Sequence, residues 1–180
     1  MARRYNVPYR TSNTCAANTV DAQAAYESVF SLWGVTMGGG NFVMHGAGWL
    51  EGGLVAGFEK FVLDCDLIQM VMEFMTPLDT TEDALGVEAI REVGPGGHFF
   101  GAQHTLARYS NAFYSPIISD WRNSQQWEAA GKPEAMQRAN TVYKQALEEY
   151  VAPALDPARR EELDAFVERR KREGGAPTDF

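Results

Sequence analysis

Three side chains that can act on a charged ligand lie close together in the segment 41–53. His45 can donate or accept a proton near neutral pH, the indole of Trp49 attracts cations through its ring face, and the carboxylate of Glu51 can balance a positive charge. They follow a short apolar run, Phe42–Met44, and the pattern becomes helical once the segment ends. This order predicts a loop between a strand and a helix, which is where parallel α/β proteins bind their ligands.

A second group of candidate residues follows the glycine-rich cluster Gly94–Gly97. The cluster permits a sharp turn that presents His98 and Phe99. With other rings near predicted loops and helix starts, Phe99 can form a pocket for a quaternary ammonium group, at ~1–2 kcal/mol per contact. The alternative places some of these rings in the core or packs them beneath a loop. The aromatic set consists of Tyr5, Tyr26, Trp49, Phe99 and Phe100.

The spacing of the other reactive residues disfavours several common kinds of site. His45, His98 and His104 form no His-Glu-x-x-His pair, so a zinc site requires the fold to bring them together, and a structural role is the alternative for each. Gly38–Gly40 precedes a strand and no Gly-Lys-Ser/Thr follows it, so it is not a phosphate loop. The two cysteines form neither a disulfide framework nor a structural zinc site. We therefore predict no metal centre.

The predicted elements around these residues are mostly helices. Two strand candidates are visible, at 5–10 and 41–45, and residues 11–19 are predicted to form a loop. The predicted helices are 21–37 capped by Asp21, 50–75, 81–92 capped by Thr80, a short stretch near Leu106, 119–150 with a break near 131–133, and a last helix capped by Asp156. The second helix carries an apolar stripe of Leu54, Phe58, Phe61, Val62, Cys65, Ile68 and Met72. Strand–helix alternation in the first half predicts the α/β class.

Length and charge exclude several classes of partner. The 180 residues suffice for one domain with a core. No apolar run approaches the ~20 residues of a membrane helix, and the N-terminus lacks the apolar core of a signal peptide, so a cytoplasmic protein without membrane contact is predicted. The net charge is −8, and residues 21–100 hold twelve Asp or Glu against Lys60 and Arg91. Such an acidic surface repels phosphate backbones, so no nucleic-acid partner is expected.

Three longer motifs make the chain similar to a known family. Residues 21–28 (Asp-Ala-Gln-Ala-Ala-Tyr-Glu-Ser), 45–53 (His-Gly-Ala-Gly-Trp-Leu-Glu-Gly-Gly) and 93–101 (Val-Gly-Pro-Gly-Gly-His-Phe-Phe-Gly) resemble the trimethylamine methyltransferase family. Shorter matches follow at Tyr114, Trp121-Arg-Asn, Trp127-Glu and Leu155-Asp-Pro. Members of that family transfer a methyl group from a methylated amine to a cobalt corrinoid (cobalamin) on a separate protein. The resemblance implies the family fold, a (β/α)8 TIM barrel.

The resemblance extends only to the C-terminal part of that barrel, because a whole barrel needs about 250 residues. It implies a partial TIM barrel, the C-terminal half, over residues 1–118 and a helical C-terminal extension over residues 119–180. Half a barrel exposes strand edges and an apolar interior. We therefore expect the chain to pair with the missing N-terminal half or to form a homo-oligomer. The alternative is a catalytically incomplete fragment, or a subunit that needs a partner chain.

The resemblance also bears on which amine is used. Trimethylamine-specific members carry pyrrolysine at a position that falls within the segment 13–20, where this chain has only standard residues. The chain therefore resembles relatives that use quaternary amines such as betaines. A quaternary ammonium leaves as a neutral tertiary amine after attack by cobalt(I), so it needs orientation and charge stabilisation but no acid on nitrogen.

These considerations give each candidate residue an expected role. Glu51 is expected to balance the charge of the ammonium group or to orient a neighbour, and His45 or His98 to hydrogen-bond the carboxylate end of the substrate. No cofactor is expected on the chain itself, because the corrinoid stays on a partner protein. A different barrel enzyme with a metal at His45 and His98 is the remaining alternative. The expected substrate-binding residues are Tyr26, Trp49 and Phe99.

Overall fold

A computed structural model describes residues 1–174 and divides the chain into two units, Met1–Gln145 and Ala146–Phe180. Helices dominate and the strands are few and short, as expected for a helix-rich α/β chain. In chain order the elements are α1 (Ala2–Tyr5), β1 (Arg10–Ser12), α2 (Ala22–Met37), β2 (Phe42–Met44), β3 (Trp49–Leu50), β4 (Val55–Ala56), α3 (Phe58–Met75), α4 (Glu82–Leu85), α5 (Val87–Val93), α6 (Gln103–Leu106), α7 (Ser124–Ala129), α8 (Ala135–Glu148) and α9 (Pro157–Arg172).

A β–α–β unit forms the first part of the fold. β1 pairs in parallel with β2, with Arg10 opposite Phe42, and α2 is the crossover helix that parallel strands require. α2 begins after Asp21, whose side chain accepts hydrogen bonds from two backbone N–H groups of the first turn, as an N-cap does. The predicted strand after this helix and the predicted cap are both confirmed.

The first strand lies later in the chain than the predicted range 5–10, and it extends into the segment 11–19 that was predicted to be a loop. Pro8 has no backbone N–H, so the ladder starts only after it. The backbone N–H of Tyr9 donates to the side-chain oxygen of Asn41 at 2.8 Å. That bond aligns the start of β1 with the start of β2.

The helix predicted over 50–75 begins only at Phe58, because the residues before it form a hairpin. β3 and β4 pair antiparallel, and a 3-10 turn over Glu51–Gly53 joins them. Gly52 and Gly53 have φ values of 65° and 96°, a region that glycine enters at little cost. The hairpin therefore replaces the first two turns of the predicted helix.

The buried face of α3 also differs from the predicted apolar stripe. Phe58 and Phe61 are exposed, whereas Lys60, Asp64 and Asp66 are buried. Lys60 pairs with Asp64, and Asp66 accepts hydrogen bonds from the loop that precedes α7. Because each buried charge has a partner, its burial is tolerated.

The helix predicted over 81–92 is broken into α4 and α5. Gly86 between them has φ 64°, the left-handed conformation that ends a helix. The cap is Thr81 and not Thr80, because the Thr81 hydroxyl accepts from the N–H of Ala84 at 3.2 Å. The short helix predicted near residue 106 is present as α6.

The helical pattern predicted over 119–150 resolves into α7 and α8, with the predicted break between them. Residues 119–123 are not helical, because Asn123 caps the start of α7. In the second unit, Asp156 caps α9 by accepting from the N–H groups of Ala158 and Arg159, as predicted. No described helix is long and apolar enough to cross a membrane. The end of the predicted extension, residues 175–180, lies outside the described residues, and the boundary at residue 118 stays a prediction.

Two small apolar clusters lie in the first unit. The first brings the segment before α2, the start of α2 and strand β3 together, and so positions the loop that carries the candidate residues. The second packs α3 against α8 and the loop before α7. Their buried members are Cys15, Ala17, Ala24 and Leu50 in the first cluster, and Val62, Ile118 and Ala139 in the second.

Candidate functional site

The loop over residues 45–53, hereafter the site loop, brings an imidazole and an indole into contact. His45 directly follows β2, and its ring lies edge-on to the ring of Trp49, with centroids 5.0 Å apart and an interplanar angle of 75°. His45 has φ 55°, a region that costs a non-glycine residue ~1–3 kcal/mol and that is concentrated at ligand sites. The two rings therefore lie together at the end of a parallel strand, where the sequence predicted a ligand loop.

Glu51 lies two residues after the indole and also has a positive φ, 50°. Its backbone N–H donates to the carbonyl of Ala17 at 3.0 Å, and the N–H of Gly52 donates to the carbonyl of Cys15 at 2.8 Å. The side chain of Glu51 is exposed, and within residues 1–174 it forms no hydrogen bond or ion pair. The backbone is therefore fixed while the carboxylate faces solvent.

The segment 13–17 packs against the site loop. The Cys15 thiol donates to the carbonyl of Trp49 at 3.2 Å, and the Asn13 side-chain amide donates to the carbonyl of Gly46 at 2.9 Å. Burial raises the pKa of the Cys15 thiol, so the group stays protonated and keeps its hydrogen at neutral pH. The segment that the family resemblance singled out thus contacts the site loop directly.

Glu27 of α2 holds the same segment by its carboxylate. Its Oε2 atom accepts from the N–H groups of Ala16 at 2.7 Å and Ala17 at 3.1 Å, and its Oε1 atom accepts from the Gln23 side-chain amide at 2.9 Å. The hydrogen bond from Gln23, with those from the two backbone amides, lowers the pKa of Glu27. The ionised carboxylate therefore fixes the segment at neutral pH.

Tyr26, the neighbouring residue on α2, is 62% exposed, so it is not a core residue. It lines a shallow groove of about 430 Å³ together with Thr14, Cys15, Ala16, Glu27, Phe30 and Ser31. No ring contact joins Tyr26 to Trp49 in the part of the chain that the structure describes. The phenol is instead placed beside the segment that supports the site loop.

His98 and Phe99 belong to another loop, which follows α5. Phe99 begins a 3-10 turn, and the ring of His98 lies 5.6 Å from that of Phe100. No hydrogen bond, ion pair or ring contact among the described residues joins this loop's His98 or Phe99 to the site loop. Nor do the residues up to 174 include a group of three His, Cys, Asp or Glu that could hold a metal ion.

A buried polar network behind the site loop was not predicted. The Lys60 ammonium lies 2.5 Å from the Asp64 carboxylate and donates to the Ser28 hydroxyl at 2.8 Å. Asp64 in turn accepts from the backbone N–H of Gly48 at 2.9 Å. The available signal was a lone lysine, four residues before an aspartate, in a strongly acidic stretch.

Comparison with known proteins places the chain in a family. The family model described as trimethylamine methyltransferase (MTTB) matches residues 1–175. A glycine betaine methyltransferase of Desulfitobacterium hafniense is 39% identical over 97% of this chain and 36% of its own length. Trimethylamine methyltransferases of Methanosarcina mazei and Methanosarcina acetivorans are 29% and 28% identical, over 96% and 94% of this chain and 34% of their own lengths. The chain thus spans about a third of the length of these curated relatives, and it belongs to the trimethylamine methyltransferase family.

Proposed function

We propose that this chain supplies the amine-binding part of a corrinoid-dependent methyltransferase, as the C-terminal portion of a (β/α)8 barrel. The contact between His45 and Trp49 at the end of β2 carries the proposal, because barrel enzymes bind substrates at that end of their strands. The parallel β1–α2–β2 unit supports the barrel, which is built from repeats of such units. The 39% identity to a glycine betaine methyltransferase favours a quaternary amine as the substrate.

The site loop offers both groups that a quaternary ammonium ion requires. The indole of Trp49 attracts the cation through its ring face, at ~1–2 kcal/mol. The exposed carboxylate of Glu51 balances the charge. Tyr26 provides a second ring beside the segment 13–17, and Phe99 a third from the loop after α5.

An imidazole forms a hydrogen bond with the carboxylate end of the substrate, opposite the ammonium group. A betaine carries a carboxylate, and a ring N–H of His45 can donate to it. His98 is the second candidate for this hydrogen bond. Separate His45→Gln and His98→Gln variants, titrated with glycine betaine, will show which imidazole is used.

The chain's own residues orient the amine and balance its positive charge. A corrinoid carried by a separate protein supplies the nucleophile that accepts the methyl group. The electrons of the broken N–CH3 bond return to nitrogen, which leaves as a neutral tertiary amine and takes up no proton. The segment 13–17, made of standard residues, therefore needs only to support the site loop for a quaternary substrate.

The competing function is that of an incomplete subunit. The chain spans about a third of the length of its curated relatives, and half a barrel leaves part of the substrate site to another polypeptide. We propose that the N-terminal half of the barrel, or a second copy, completes the site. Under this alternative the chain has no transfer activity of its own.

Trp49→Ala tests the amine site. Isothermal calorimetry of the full chain with glycine betaine should show about tenfold weaker binding in the variant, because one cation–π contact is lost. Trp121→Ala is the matched control, since it removes another indole, one that is exposed and outside the site loop. An unchanged affinity in Trp49→Ala would eliminate the aromatic site.

A methyl-transfer assay separates the two functions. Reduced cobalamin is offered to the full chain with glycine betaine or trimethylamine, and methylcobalamin is followed by its absorption. Methyl transfer from glycine betaine but not from trimethylamine supports an enzyme that acts on quaternary amines. Binding without transfer supports the incomplete subunit.

A further inference from the structure

Lys60, Asp64 and Ser28 form a polar network that is completely buried. Lys60 and Asp64 lie one turn apart on α3, with the ammonium 2.5 Å from both carboxylate oxygens. The ammonium also donates to the Ser28 hydroxyl of α2 at 2.8 Å. The network therefore joins the two longest helices of the first unit through one buried cation.

Burying this ion pair is a poor way to gain stability. Desolvating two charges costs as much as their attraction returns, and apolar residues of similar size commonly serve stability as well or better. The other contacts of the two charges therefore indicate a role for the pair besides stability. Besides Ser28, the pair has a partner that lies outside the helices.

That partner is the backbone of the site loop. The Asp64 Oδ2 atom accepts from the N–H of Gly48 at 2.9 Å, and the carbonyl of Gly48 accepts from the N–H of Gly57 at 2.9 Å. Gly48 has φ 92°, and a Cβ atom there would lie 3.3 Å from Phe61. The residue before Trp49 is thus held on both sides of its α-carbon.

We propose that Asp64 is a positioning residue for the amine site and that Lys60 holds its carboxylate in place. The Gly48 hydrogen bond sets the direction in which the chain enters Trp49, and so maintains the edge-on contact between the indole and His45. Ser28 ties the same cation to α2, the helix that carries Tyr26 and Glu27. This inference rests on the proposed amine site for its effect on binding, but not for its effect on the loop.

Two double variants isolate the acceptor atom from the charge. Lys60→Met/Asp64→Leu removes the ion pair and the acceptor together, and leaves no buried charge unpaired. Lys60→Met/Asp64→Asn removes both charges but keeps an oxygen that can accept from Gly48. The two proteins differ at one side chain of similar size, so a difference between them reports on the hydrogen bond.

The full chain and both variants are compared by NMR and calorimetry. In the leucine variant we expect amide hydrogen exchange at Gly48 about tenfold faster, loss of the ring-current shift that Trp49 imposes on the His45 ring protons, and about fivefold weaker glycine betaine binding. The asparagine variant should restore all three readouts toward wild type. Asp66→Asn, which perturbs another buried carboxylate of the same helix, should leave the Gly48 and His45 signals unchanged.

Equal Gly48 exchange and equal His45 shifts in the leucine and asparagine variants would overturn the proposal. Loss of the same signals in Asp66→Asn would also overturn it, because the effect would then be general destabilisation. If the wild-type chain binds no quaternary amine, the proposed function fails. In that case the exchange and shift measurements still decide whether Asp64 positions the loop.

Discussion

Two residues of the site loop, His45 and Glu51, have a strained backbone conformation. Both have φ near 50°, and each such residue costs ~1–3 kcal/mol unless its surroundings hold it. Here backbone N–H groups of the site loop donate to carbonyls of the segment 13–17 and to the buried Asp64 carboxylate. These contacts hold the loop without a ligand, so if it binds the amine as proposed, little conformational entropy is lost on binding.

Glu27 gives the support of this loop a pH dependence. In the folded chain the pKa of Glu27 lies below its ordinary value of 4.5. The ionised carboxylate therefore stabilises the fold fully when the pH is above the ordinary pKa. This stabilisation is lost as the pH falls through the lower pKa of the folded chain. The difference in free energy of unfolding between wild type and Glu27→Gln should be constant from pH 7 to about pH 5 and shrink at lower pH. Urea denaturation across this range measures it.

Glu92→Gln is the control for that series. Glu92 is exposed and, in the described part of the chain, forms no hydrogen bond or ion pair. Its replacement should leave the unfolding free energy unchanged at every pH. A Glu27→Gln difference that persists undiminished to pH 2 would show that the carboxylate does not hold the segment.

At the scale of elements, α2 does most to assemble the site. It is the crossover between the parallel strands, and it places Glu27 against the segment 13–17. It also contributes Ser28, whose hydroxyl accepts from Lys60, to the buried network. Its start depends on Asp21, whose Oδ1 atom accepts from the N–H groups of Gln23 at 2.9 Å and Ala24 at 3.3 Å. Ordering this helix is therefore tied to ordering the site.

Asp21→Ala should destabilise the chain by about 1 kcal/mol, because two helix N–H groups lose their acceptor. The free energy of unfolding from urea titration followed by circular dichroism checks this value. Asp21→Asn keeps an acceptor at the cap and should retain most of the stability. Equal losses in the two variants would mean that the cap is not the cause.

Local signals in the sequence were enough to predict several elements. Asp21 and Asp156 were predicted as caps because their type and position suffice to start a helix, and the strand before His45 followed from its apolar run. The hairpin of β3 and β4 was missed because Leu54 and Phe58 continue the helical spacing of α3. The pair Gly52–Gly53 was the available signal for a turn, but the positive φ of Glu51 could not be read from the sequence.

The site was predictable in part. The shared loop of His45 and Trp49 followed from spacing, but their ring contact depends on how the loop closes. The roles of Lys60 and Asp64 could not be predicted, since their partners Ser28 and Gly48 lie 32 and 16 positions away. Charged residues are expected at the surface unless such partners are known.

At the scale of the molecule, the first unit exposes much apolar surface. Phe30, Leu54 and Phe100 are each more than 80% exposed, and the two-stranded parallel sheet has no further strand on either side among the described elements. Parallel sheets are normally covered on both faces. This surface supports the proposal that another polypeptide completes the chain, which spans about a third of its curated relatives' length.

The isolated chain should therefore self-associate. Size-exclusion chromatography with light scattering should give a mass above the 20.0 kDa of one chain, rising with concentration. Ammonium sulfate should strengthen the association if apolar surface drives it, whereas screening would weaken a charge-driven contact. A stable monomer at all concentrations would contradict this expectation.

The hairpin after β2 and the pairing of β1 with β2 close chain segments of very different length, which predicts an order of folding. Its strands close over a few residues, on the microsecond scale of isolated hairpins, whereas the bond from Tyr9 to Asn41 spans 32 positions and must close a loop containing all of α2. Contacts so distant in sequence slow folding. On refolding of the whole chain we therefore expect the turn bearing Glu51 to form early and the parallel strands to join it late, which leaves the edge of β2 unpaired for the longest time.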